Sequence, residues 1–327
     1  MAVKMVLDAV HDALYEEMKR DNNVIVMGED VGHDGGVFRA TEGLWKEFGE
    51  ERVIDTPLAE SSIVGIAIGM SVNGLVPVAE IQFADFIYSA VDQIISEAAK
   101  LRYRSGGTYS CPIVIRTPYG GGVRGGLYHS QSIEAVFANA PGLKIVAPST
   151  PYDTKGLLKA AIRDPDPVLF LENKRTYRLI RGEVPEEDYV LPIGKADIKR
   201  QGKDLTVVAY GLMLHYSLEA AERLSQEGVE VEVVDPRTLV PLDKETILGS
   251  VKKTGKALVV YEANRTGGYG GEIAATIAEE AFDYLDGPVV RVAGPDVPAM
   301  PYNIKLEALF LPSVDKIAEA MRKLASY

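Results

Sequence analysis

Short, mostly apolar, β-rich runs that alternate with helical spacing constrain this chain more than any other feature. Val24-Ile25-Val26-Met27, bounded by Asn22-Asn23 and Gly28, reads as a short buried strand, and 78–83, 112–117, 143–147 and 168–171 read as further strands. Phe86, Ala90, Ile94, Ala98 and Leu101 recur at three- and four-residue steps with Lys and Arg in the last turn, which predicts a helix over 85–104. Another helix spans 152–163 and is stopped by Asp164-Pro165-Asp166-Pro167. Strands alternating with helices build a parallel sheet covered on both faces, so residues 1–180 are expected to form an α/β domain.

From 181 to 203 the texture changes. Glu183-Val184-Pro185-Glu186-Glu187-Asp188 is acidic and broken by proline, and this stretch is expected to be the linker. Beyond it the alternation resumes. Strands at 205–210, 229–234, 257–261 and 288–292 and helices at 214–226, 244–252, 272–285 and 314–324 predict a second, smaller α/β domain over 204–327. The longest apolar run, 63–76, is interrupted by Asn73 and Gly74 and falls short of the about 20 residues a bilayer needs. It reads as a buried helix whose Gly65-x-x-x-Gly69 spacing allows close packing, as across a subunit contact.

Several function classes drop out. Thirty-five Lys and Arg against 47 Asp and Glu leave a formal charge of −12, which argues against a nucleic-acid surface. The single cysteine, Cys111, excludes a disulfide scaffold, and His11, His33, His129 and His215 lie too far apart in sequence for a zinc motif. Asp8 comes too early for a signal-peptide core, so a cytoplasmic protein with no membrane segment is expected.

Gly120-Gly121-Gly122-Val123-Arg124-Gly125 satisfies G-x-G-x-x-G, the pattern of a dinucleotide loop. No apolar helix follows at once and no acid sits at the right distance, so this is read instead as a loop presenting Tyr128 and His129. Gly267-Gly268-Tyr269-Gly270-Gly271 reads as a tight turn into a helix.

Glu60 stands in the first turn of the apolar helix, flanked by Leu58, Ala59 and Ile63. By pattern alone it either offsets the helix dipole or does chemistry. Its context, Glu60-x4-Gly65-Ile66-x-x-Gly69, resembles the glutamate–glycine motif of thiamine-diphosphate enzymes. Gly28-Glu29-Asp30-Val31-Gly32, Asp55-Thr56-Pro57, Glu80-Ile81-Gln82-Phe83-Ala84-Asp85, Arg102-Tyr103-Arg104-Ser105-Gly106-Gly107 and His129-Ser130-Gln131-Ser132 narrow the likeness. Together they resemble, in order and over nearly the whole chain, the E1 β subunit of 2-oxo acid dehydrogenase complexes. Ala84-Asp85-Phe86 and Leu127-Tyr128-His129 look more like the branched-chain than the pyruvate type.

That resemblance implies a pyrimidine-type thiamine-diphosphate domain followed by a transketolase C-terminal-like domain. It implies that Glu60 contacts the aminopyrimidine ring nitrogen from an apolar setting that favours the neutral acid. Leu58 and Phe86 would pack on the ring, with Gln82 near it, and His129 would serve as acid/base in acyl transfer to lipoyl. The backbone of Ile113, Ala161 and Asp164 matches a monovalent-cation (K+) site.

The family signature for Mg2+ and diphosphate, Gly-Asp-Gly, does not occur in this chain. The resemblance therefore implies a partner α subunit that supplies that half of the site in an α2β2 assembly. It also implies docking to the peripheral subunit-binding domain of the E2 acyltransferase, and a 2-oxo acid substrate. The pyruvate and acetoin enzymes share these motifs, and a non-catalytic scaffold of the same fold is the alternative of another class.

Overall fold

The computed structural model describes residues 1–327. They fall into two units, Met1–Tyr119 with Val136–Ile193, and Gly120–Ala135 with Gly194–Tyr327. The first contains β1 (Ala2–Met5), β2 (Val24–Gly28), β3 (Val53–Asp55), β4 (Val76–Glu80), β5 (Val114–Tyr119), β6 (Lys144–Val146), β7 (Val168–Asn173) and β8 (Arg181–Val184). Strands β2 to β7 pair in parallel in the order β6-β7-β5-β4-β2-β3.

These strands are mostly apolar because helices cover them. Val24, Val26, Val78, Val114, Val168 and Phe170 share one core with Val10, Leu14 and Met18 of the Val6–Arg20 helix and Leu157, Leu158 and Ile162 of the Pro151–Ile162 helix. Each such side chain contributes about 1.5–3 kcal/mol by leaving water. The second helix starts where Thr150 caps it, its hydroxyl accepting from the Asp153 amide at 3.2 Å.

The strand order reverses between β2 and β4. The chain leaves β2 for β3 on one side and returns to β4 on the other. In such a sheet the loops after the two strands diverge and leave a crevice at their carboxyl ends, where ligands bind.

The second unit holds β9 (Asp197–Arg200), β10 (Leu205–Ala209), β11 (Val231–Asp235), β12 (Thr238–Val240), β13 (Ala257–Asn264) and β14 (Val290–Gly294). Its sheet runs β14-β13-β10-β11-β9, parallel except at the β9 edge. The helices begin and end as their sequences dictate. The Asp243 carboxylate accepts from the Thr246 amide at the start of Lys244–Thr254, and Gly255, in the left-handed region at φ 70°, ends it.

Three expectations need correction. The linker is not 181–203: β8 pairs with β1, Ala2 opposite Val184, and β9 joins the second sheet against β11. Both strands are short and polar, and their order comes from partners distant in sequence. Residues 120–135 also group with the second unit.

The continuous helix over 85–104 is not formed either. Ala84–Ala90 winds as 3-10 turns, Gln93–Ala98 opens to π pitch, and only Leu101–Arg104 is α-helical. A 3-10 turn is tighter than an α turn and a π turn wider, so together they average near the α period and the apolar spacing is kept by a segment that is no single helix.

Finally, the Glu60–Val72 helix is buried on one side only. Ile63, Val64, Ala67 and Ser71 face inward, while Ile66 is 50% and Val72 39% exposed. A helix apolar all round needs a second cover. No helix in the chain is long and apolar enough to cross a membrane.

Candidate active site

The crevice at the ends of β2 and β4 collects the acids. Strand β2 ends at Gly28, where a Cβ would lie 2.6 Å from the Glu80 carbonyl oxygen, so the backbones approach too closely for any other residue. Glu29 and Asp30 follow, Asp30 in the left-handed region at φ 57°. The Asp55 carboxylate beyond β3 fastens this turn by accepting from the Gly32 amide at 2.6 Å and the His33 amide at 3.2 Å.

Gln82, just past β4, donates to Asp30 Oδ2 at 3.0 Å and to the Glu29 carbonyl at 3.4 Å. The structure thus joins Gln82 to a pair of acids given no role above.

Glu60 opens its helix at the same crevice and is half-buried. The Ser89 hydroxyl lies 3.1 Å from Glu60 Oε2 and 3.2 Å from the Phe86 carbonyl, which ties the Glu60 helix to the 3-10 segment. The apolar setting expected for Glu60 is not what this chain provides, because its neighbours are a hydroxyl and another carboxyl.

The sheltered acid is Glu29. It is 5% exposed and its Oε1 has no hydrogen-bond partner. Burial pushes its carboxyl up, and the negative charges of Glu60, Asp30 and Glu80 push the same way. Its sequence signal was an acid directly after a buried strand and a glycine.

Of the two apolar residues expected here, Phe86 is half-buried and Leu58 is 80% exposed. The Phe86 ring meets Phe83 edge-on at 5.7 Å, Phe83 meets Phe38 at 5.5 Å, and Phe38 meets Tyr177 at 5.2 Å. This aromatic row ends on a charged core. Arg116 is fully buried in β5, with Nε 2.7 Å from Glu172 Oε1, Nη2 2.8 Å from Oε2, and Nη1 donating to Glu80.

Tyr177 donates to Glu172 Oε2 at 2.5 Å. Burial opposes the charge on Arg116, but Glu172 and Glu80 outweigh it and hold the guanidinium above its ordinary value. Burial pushes the Glu80 carboxyl up, with Arg116 opposing. Sequence reading missed this triad because strand spacing does not report which side chains face each other.

His129 lies in the second unit, half-buried beside exposed Tyr128. Gly120–Gly126 is no open phosphate loop: the amides of Gly121, Gly122 and Arg124 donate to the carboxylates of Glu262 and Glu307. Gly270 is required by close packing, since a Cβ there would lie 2.1 Å from the Tyr261 ring.

Of the three residues whose backbone carbonyls are expected at a monovalent cation, Ile113 and Ala161 have carbonyls that already accept an amide hydrogen, and the Asp164 side chain is paired with Lys144. The Ile113 carbonyl accepts from Val168 N at 3.0 Å, the Ala161 carbonyl from Asp164 N at 3.2 Å, and Lys144 Nζ sits 2.6 Å from both Asp164 oxygens. An ammonium at that position opposes a second cation. No group of three or more His, Cys, Asp or Glu side chains is placed to hold a metal.

Comparison with known proteins bears on this geometry. Residues 4–180 match the model of the transketolase pyrimidine binding domain, and 194–317 that of the transketolase C-terminal domain. The chain is 61% identical to the 2-oxoisovalerate dehydrogenase subunit beta of Bacillus subtilis, over 100% of both chains. It is 51% identical, again over 100% of both, to the pyruvate dehydrogenase E1 component subunit beta of the same organism. Among solved structures, a split-gene transketolase described as an inactive β4 tetramer superposes with a TM-score of 0.80 at 26% identity, covering 98% of each chain.

Proposed function

The chain belongs to the family of the β subunits of 2-oxo acid dehydrogenase E1 components, and from that premise we propose that the crevice at β2 and β4 is this subunit's half of a thiamine-diphosphate site. The reaction is the oxidative decarboxylation of a branched-chain 2-oxo acid with reductive acylation of lipoyl-E2. The observation that carries this reading is the meeting of Glu60, Glu29, Gln82 and Phe86 at the strand reversal.

The residues fit the cofactor. A half-exposed carboxyl, a buried one with a free oxygen, and an apolar ring converge where a flat, polar heterocycle would lie. When bound, thiamine diphosphate supplies a carbon nucleophile and an electron sink.

The chain's own residues do the rest. Glu60 holds a proton at the aminopyrimidine ring nitrogen, and Ser89 fixes the carboxyl that does so. Glu29 stands beside it with a carboxyl that burial and the charges of Glu60, Asp30 and Glu80 raise above its ordinary value. Leu58 and Phe86 orient the ring by contact. His129 moves a proton during acyl transfer to lipoyl.

We assign the diphosphate and Mg2+ to a partner α subunit, because Gly-Asp-Gly does not occur in these 327 residues. The half-covered helix carrying Ile66 and Val72 supports an α2β2 assembly, since its exposed side is apolar. E2 is assigned as the further partner, and the charge of −12 suits a basic docking domain. A monovalent cation is given no role.

The experiment uses the reconstituted α2β2 enzyme. Glu60→Gln is expected to slow hydrogen–deuterium exchange at C2 of bound cofactor by orders of magnitude, and unchanged exchange removes Glu60 from the mechanism. Turnover with 3-methyl-2-oxobutanoate against pyruvate decides the substrate. A preference for pyruvate would favour the second reading, which the 51% identity to a pyruvate dehydrogenase subunit keeps in view.

A further inference from the structure

The loop that carries His129 is held by acids from much later in the chain. The loop closes on itself, the Gly120 amide donating to the Gln131 carbonyl at 2.9 Å. Inside it the Gly121 amide donates to Glu262 Oε1. The Gly122 and Arg124 amides share Glu307 Oε1, at 2.9 and 3.1 Å. Both carboxylates are buried, so these are charge-assisted bonds shielded from water.

The glycines make the fit possible. A Cβ on Gly121 would fall 2.1 Å from Met300 Sδ, and one on Gly126 2.3 Å from the Tyr302 ring. A Cβ on Gly125 would fall 2.5 Å from the His129 carbonyl oxygen and 2.7 Å from the His129 Cβ. The backbone next to the clamped Arg124 therefore abuts His129 itself. Arg124 pays for its place with a left-handed φ of 61°, and its amide bond to Glu307 offsets that strain.

We propose that Glu262 and Glu307 are positioning residues for His129: by gripping the Gly121, Gly122 and Arg124 amides they fix Gly125, and through it where the imidazole stands. The inference deepens the reading of His129 given above and rests on it. It assigns Glu262 and Glu307 a part in acyl transfer that is exerted through His129, with no contact of their own to the reacting atoms.

The test uses the reconstituted α2β2 enzyme with lipoyl-E2. Glu307→Ala is expected to lower reductive acylation at least about tenfold while decarboxylation, read with an artificial electron acceptor, stays within about threefold. Amide exchange in the 119–131 peptide should accelerate in parallel. Glu307→Gln keeps an acceptor oxygen and should recover part of the loss.

Gly125→Ala, at an ordinary φ, should give the same split by pushing His129 and the neighbouring Ser130 hydroxyl while leaving both carboxylates in place, and it serves if Glu307→Ala fails to assemble. Unchanged exchange in Glu307→Ala, or faster exchange with unchanged acylation, overturns the proposal. His129→Ala is run beside them. If it lowers both half-reactions equally, the role of His129 falls and this inference with it. If His129→Ala shows the split and the Glu307 and Gly125 variants do not, this inference alone is wrong.

Discussion

Glu134 offers a test of buried electrostatics in the second unit. It is fully buried, one oxygen accepting from the Tyr210 hydroxyl at 2.8 Å and Oε2 without a partner. Burial pushes its carboxyl up to about 7 from an ordinary 4.5, its own backbone amide and Tyr210 opposing and Glu262 adding. Below pH 4.5 both folded and unfolded chains hold the proton and nothing is lost. Between 4.5 and about 7 the unfolded chain releases a proton that the folded chain keeps, so stability falls as pH rises. Above about 7 both have released it and the deficit levels off. At about 1.4 kcal/mol per pH decade the full deficit is about 3 kcal/mol at pH 8, and under about 1 kcal/mol at pH 5. Glu134→Gln keeps an acceptor for Tyr210 and does not titrate. It should therefore gain about 3 kcal/mol over the parent at pH 8 and less than about 1 kcal/mol at pH 5. Urea unfolding of the assembled enzyme across that range, at constant ionic strength and with unchanged slope, reads the difference from the midpoints. A gain independent of pH, or largest at acid pH, refutes the argument.

Arg116→Met leaves Glu80 and Glu172 facing each other without a counter-charge and should cost about 3–5 kcal/mol in the same unfolding assay. A loss below about 1 kcal/mol would mean the triad relaxes or takes up a proton at little cost. Ile66→Glu places a charge on the exposed apolar side of the Glu60–Val72 helix, so the chain should fold but sediment without its partner. Normal assembly would show that this side is not an interface. Ser89→Ala removes the hydroxyl on Glu60 and should lower kcat about threefold to tenfold, worth about 1 kcal/mol, with unfolding midpoint unchanged. Unaltered kcat would mean that the hydroxyl does not fix Glu60.

What the sequence made legible follows from which signals are local. Strand β2 and the first residues of β5 and β7 are buried, so short apolar runs announce them, and the Asp243 and Gly255 caps sit beside the helix they bound. The β1–β8 ribbon carries no such mark, because its order is supplied by a partner strand across most of the first unit. The Val6–Arg20 helix is legible in its helical spacing, with Val6, Val10, Ala13, Leu14 and Met18 on its inward face and His11 outside that set. At the site, family resemblance pointed to Glu60, Gln82, Phe86 and Leu58, of which Leu58 stands 80% exposed. It could not say that Glu29 is the acid kept from water, since burial depends on residues distant in sequence, Glu60 and Glu80 among those near it.

The glycine loop takes this furthest. Its string of amides is competent for any anion, and the sequence reading set the dinucleotide aside on context alone. The structure gives the physical reason. Two acids, 141 and 185 positions further on, occupy the amides. A phosphate would have to displace two buried carboxylates from these amide bonds, at a cost of about 1–3 kcal/mol or more for each. The same bonds that close the loop to a dinucleotide tie down the backbone just before His129, which is the geometry that the proposed positioning role draws on.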